Sequence, residues 1–243
     1  MTLLQDWGVV LTVLGMLLAM LSMAAILNRY QAHQALVHAS VRRLEGHAQR
    51  IAAALTALPG VPLSRELRII LHTDVLACYR KIRHHYRRYP GIDDKIVGAQ
   101  RAANAQGAPA SGGVGPIEND QALRQIIGAL DGLTAMMVDG GTLQTVAPDV
   151  RAIFRRELAE RRAEAFARYH LVQARRFENA ADWVRARSHL TRLMNELRNA
   201  APSTEFVRGL YTEAQAASVA LGSGRSRVAA ETAEPPAMLA ETG

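Results

Sequence analysis

The stretch His170–Pro202, HLVQARRFENAADWVRARSHLTRLMNELRNAAP, decides the class of this chain. It is built from Ala, Leu and Arg, which stand at the top of the helix-propensity ranking, and it holds no glycine. Its small and apolar positions, Ala174, Phe177, Ala186, Leu190 and Leu193, fall at helical spacing on either side of Ala181-Asp182-Trp183. Pro202 closes the second segment. The stretch is therefore a helical hairpin.

Working outward, the same grammar recurs. Pro148 with Asp149 suits the first turn of a long helix, because proline lacks only an N–H that would be unpaired there and an acid complements the dipole. That helix runs to about Phe177, a second covers about 180–200, and a third about 203–221. Upstream, NDQALRQIIGALDGLTAMMV (119–138) is amphipathic and stops at DGG. QGAPASGGVGP (106–116) has no charge and reads as a flexible linker. Ser64 caps a helix reading through to Pro90, with a shorter one after it. Strand-like alternation is almost absent, so the fold class is all-α.

Residues 168–202 resemble a tetratricopeptide unit. Ala174 and Phe177 match the small and aromatic positions of that family's first helix, and Ala181-Asp182-Trp183 resembles its Gly-Asp-Tyr turn. Ala186, Leu190 and Leu193 match the second helix, while His170 stands where a large apolar residue is usual. The resemblance implies an irregular array of helical hairpins that docks other proteins and does no chemistry of its own.

At the other end, Trp7–Leu27, WGVVLTVLGMLLAMLSMAAIL, runs 21 residues without a charge, the length of a bilayer-crossing helix. With basic residues following it, the positive-inside rule gives a single-pass bacterial inner-membrane protein, N-terminus periplasmic and remainder cytoplasmic. The organisation read from sequence is an anchor (1–27), a juxtamembrane helix (28–58), a basic helical segment (64–105), the linker (106–116), a tetratricopeptide-like domain (117–221) and a disordered tail (222–243).

In the juxtamembrane helix Val37, Val41, Leu44, Ala48, Ile51 and Leu55 repeat at alternating steps of four and three. They form either a homodimer seam or a face that packs on its own domain. LPGVP (58–62) ends that helix.

The net charge of +7 is local: eleven Lys/Arg face three acids between Asn28 and Tyr89, while the rest after Tyr89 balances. The densest run is CYRKIRHHYRRYP (78–90). On a helix it separates into a core stripe continuing Leu67, Leu71 and Val75 through Cys78, Ile82, Tyr86 and Tyr89, and a basic arc of Arg80, Lys81, Arg83, Arg87 and Arg88. Aromatics and charges lie on different faces, so this is no base-stacking platform. The basic arc suits anionic lipid headgroups or an acidic protein partner, with nucleic acid as the alternative.

No phosphate loop, dinucleotide fingerprint, zinc-protease motif or nucleophile elbow occurs. The single cysteine excludes an internal disulfide, and Cys78 reads as a small core residue. The histidines of the juxtamembrane helix make no metal site among themselves, since His33 and His38 do not share a face. The expectation is a non-enzymatic docking scaffold without metal or cofactor.

Overall fold

A computed structural model describes residues 2–87, 89–105, 113–138 and 146–233, with side chains described within those ranges from 15 to 223 except at 19. Among the described residues all regular structure is helical: α1 (Thr2–Ala57), α2 (Arg65–His85), α3 (Ile92–Asn104), α4 (Asp120–Val138), α5 (Pro148–Asn179), α6 (Trp183–Asn199) and α7 (Glu205–Ala233). In space α3 packs on α2, α2 on α1, α1 on α4, α4 on α5, and α5 on both α6 and α7. One apolar core runs through this succession, from Ile51 and Leu71 by Leu133 and Leu158 to Leu193 and Leu210. A smaller cluster of Val41, Leu76, Ile82, Ile92 and Ile96 joins α1, α2 and α3.

The anchor reading is overturned. Among the described residues no helix is long and apolar enough to cross a membrane, and with that the single-pass inner-membrane placement falls. The apolar run is the first part of α1, which continues unbroken into a polar second half. Met16, Leu21, Met23 and Ile26 of this part are more than half exposed.

The seam residues are filled from within the chain. Val41, Ala48 and Ile51 are buried, and Val37, Leu44 and Leu55 partly so, against α2, α3 and α4. Of the two readings open for this seam, a helix packing on its own domain is the one these contacts match.

Several boundaries differ from the sequence reading. α2 stops at His85, because the backbone leaves helical geometry at Tyr86 and turns through Gly91 at φ 67°. The residue before Pro90 is also pushed toward extended conformations. Tyr86 consequently lies at the exposed end of the helix, its ring edge-on to His38 of α1 at 5.6 Å. Helix α7 extends through the Ala-rich segment to Ala233, so the tail read as unstructured from 222 is helical that far; 234–243 lie outside the described residues.

The linker is half pinned. Residues 106–112 lie outside the described residues, but Val114 and Ile117 are buried in the core. Two backbone bonds hold this segment: the Gly115 N–H donates to the Gly60 carbonyl at 2.9 Å, and the Val114 N–H to Glu164 Oε1 at 3.0 Å. Glu164 is itself buried and accepts from Arg161 at 2.8 Å. Two turns earlier, Glu157 accepts from both the backbone N–H and the hydroxyl of Ser64, at 2.5 and 2.7 Å. Sequence spacing suggests a solvated face of alternating Glu and Arg here. Instead α5 uses two of those glutamates to hold the start of α2 and the approach to α4, satisfying backbone donors that burial would otherwise leave costly.

Candidate functional site

LPGVP reverses the chain between α1 and α2, and the Gly91 turn sets α3 against the outer side of the same pair. The three helices leave a cleft of about 610 Å³ between them. Leu55, Leu58, Val61 and Val75 give it an apolar floor, and Gly98, Ala99 and Ala102 of α3 form the far wall. Small residues on that wall keep the cleft open. Its volume lies in the range of sites that take an organic ligand or a few side chains of a partner.

The polar groups that line it are basic or neutral. Arg68 and His72 stand one turn apart on α2, Lys95 faces them from α3, and Tyr79 lies beside Val75. Among the described residues no carboxylate lines the cleft. Burial pushes His72 below the ordinary histidine range, and the neighbouring Arg68 charge pushes the same way. Lys95 is fixed in place: Nζ donates to Glu45 Oε1 of α1 at 2.7 Å and sits 5.1 Å from the Tyr89 ring centre. Hydrogen bonding to Glu45 raises the Lys95 pKa, and the bond from Lys95 lowers that of Glu45. The cleft is thus apolar, with basic side chains at its edges: Arg68, and Lys95 already paired with Glu45.

Among the residues singled out from sequence, Arg80, Lys81, Arg83 and Arg87 are exposed on α2 and just past its end. Arg83 pairs with Asp93 at 3.3 Å, both well exposed, and Arg88 lies outside the described residues. None of these lines the cleft. Of the seam, Leu55 does. Ala174, Ala186, Leu190 and Leu193 are buried where α5 meets α6, with Phe177 and Trp183 half-buried beside them. Sequence reasoning missed Arg68, His72 and Lys95. The spacing of Arg68, His72, Val75 and Tyr79, four, three and four, carried a signal: basic groups bordering an apolar stripe.

No protein-family model, curated protein or solved structure matches the chain.

Proposed function

We propose that the chain is a helical docking module whose α1–α2–α3 cleft receives an amphipathic segment of a partner protein that carries a carboxylate. The observation behind this is the combination of an apolar lining with Arg68, His72 and Lys95 and no acid among the described lining residues. Apolar side chains of the segment would fill the floor, and its carboxylate would meet Arg68, whose guanidinium suits two parallel hydrogen bonds to a carboxylate. Burial of the apolar side chains supplies most of the affinity, and the charge pair fixes register and excludes basic segments. A carboxylate arriving beside His72 favours its protonated form. Since burial holds the free His72 below its ordinary range, binding takes up a proton and tightens as pH falls from neutrality.

Selection of a random peptide library on the purified full chain tests the proposal. Enriched peptides should combine two or more large apolar residues with Asp or Glu. Gly98→Trp should abolish their binding: a Cβ added at Gly98 meets nothing within 4 Å, so the position has room to start a side chain toward the cleft, and circular dichroism checks that the variant folds. Enrichment of basic or uncharged peptides, or binding that survives Gly98→Trp, would overturn it.

A further inference from the structure

We infer that His47, Asp74 and Cys78 form a binding site for a divalent metal ion of the zinc type. Asp74 and Cys78 are one helical turn apart on α2 and therefore share a face, and His47 comes to that face from α1. One ligand atom from each lies within 4.8 Å of the other two. His47 Nε2 is 2.9 Å from Asp74 Oδ2. The imidazole nitrogen, carboxylate oxygen and thiol sulfur belong to three side chains of different chemistry that converge on one point.

Zinc accepts this donor set, with Zn–N and Zn–O of about 2.0 Å and Zn–S of about 2.3 Å in tetrahedral geometry. Those lengths put bound donors roughly 3.3–3.6 Å apart. Closing the widest pair asks for about 1 Å of side-chain rotation from the 4.8 Å limit, and the His47–Asp74 hydrogen bond opens to admit the ion. Asp74 and Cys78 are buried, and Cys78 belongs to the apolar core that also holds Leu71, Val75, Ala48 and Ile51, a setting of low dielectric that strengthens charge interactions. The His47 side chain keeps 13% of its surface exposed, which gives an entry path and a side for a fourth ligand from solvent. Binding releases the Cys78 thiol proton to solvent, and thiolate with carboxylate then balances the two charges of the ion. The bound ion would clamp α1 to α2. This inference is independent of the docking proposal, because none of the three side chains lines the cleft.

Cobalt(II) titration of the chelator-treated full chain tests it. The expected result is one equivalent of Co²⁺ giving a thiolate-to-cobalt charge-transfer band in the near ultraviolet with strong visible ligand-field bands, both erased by Zn²⁺. Cys78→Ser should lose the charge-transfer band. His47→Gln and Asp74→Asn, checked for folding by circular dichroism, should bind Co²⁺ more weakly by more than the roughly 10–100-fold that losing a ligand's outer partner costs. X-ray absorption of the zinc form should show one sulfur at about 2.3 Å. Absence of the charge-transfer band in the folded wild-type chain would overturn the site. So would its survival in Cys78→Ser, or unchanged affinity in His47→Gln.

Discussion

His170 shows how one residue can set the pH response of the bundle. It is 1% exposed, wedged against Phe166 and Tyr169, with Nδ1 hydrogen-bonded to Nδ1 of His189 at 2.8 Å. Its Nε2 is buried with no hydrogen-bond partner among the described residues. Burial, reinforced by His189 and Arg192, pushes its pKa down to about 4. The folded state therefore resists protonation that the unfolded chain accepts near 6.5. Stability from this group is complete above about pH 6.5 and is lost as pH falls toward 4, by roughly 3 kcal/mol at most. Urea midpoints measured at pH 7 and pH 4.5 should fall accordingly in the wild type, and His170→Phe should flatten much of the difference. An unchanged pH dependence in His170→Phe would refute this role. Glu164 is a second case. Replacing it with Leu strips the Val114 N–H of its buried acceptor and should cost about 2 kcal/mol, read as a lower urea midpoint.

At the scale of elements, the turn between α5 and α6 explains why the two helices form a hairpin. The Asp182 N–H donates to the Phe177 carbonyl at 2.8 Å and the Ala181 N–H to that of Glu178 at 2.9 Å, a Schellman closure. Ala181 adopts φ 58°, a left-handed conformation that costs a non-glycine residue about 1–2 kcal/mol. Asp182 then caps α6 by accepting from the Arg185 N–H at 3.1 Å. Ala181→Gly should therefore raise stability by about 0.5–1 kcal/mol, seen as a higher melting temperature; a lower one would contradict the strain argument. Turn chemistry of this kind was legible in the sequence. LPGVP, the Ser64 cap and Pro148-Asp149 each mark a helix end close to where it falls. The end of α2 was not, since continued periodicity through Tyr86 and Tyr89 imitates a helix that the turn at Gly91 terminates. Nor was the burial of Val114 and Ile117, because a Gly/Pro-rich segment packs only when distant partners such as Gly60 and Glu164 accept its N–H groups.

For the whole molecule, the succession of packed helices makes one core that neither end supplies alone. The all-helical class was readable from composition and spacing. The membrane anchor read from the uncharged run does not stand, because among the described residues no helix is long and apolar enough to cross a membrane; α1 runs on to pack its second half on α2, α3 and α4. The cleft was the least legible part. It depends on small residues of α3 facing the α1–α2 turn, a juxtaposition fixed by the Glu45–Lys95 pair and the small cluster around Ile82 and Ile92. Asp74 of the proposed metal site did carry a signal: it falls between Leu71 and Cys78 on the core stripe, where an acid is out of place. The most direct check on the cleft as a docking site is a charge swap at Arg68, followed by fluorescence anisotropy of a selected acidic peptide on the full chain. Arg68→Glu should weaken the peptide by about tenfold or more, and replacing the peptide's acid with arginine should restore binding to that variant alone. Equal affinities across all four combinations would contradict the assignment of the cleft.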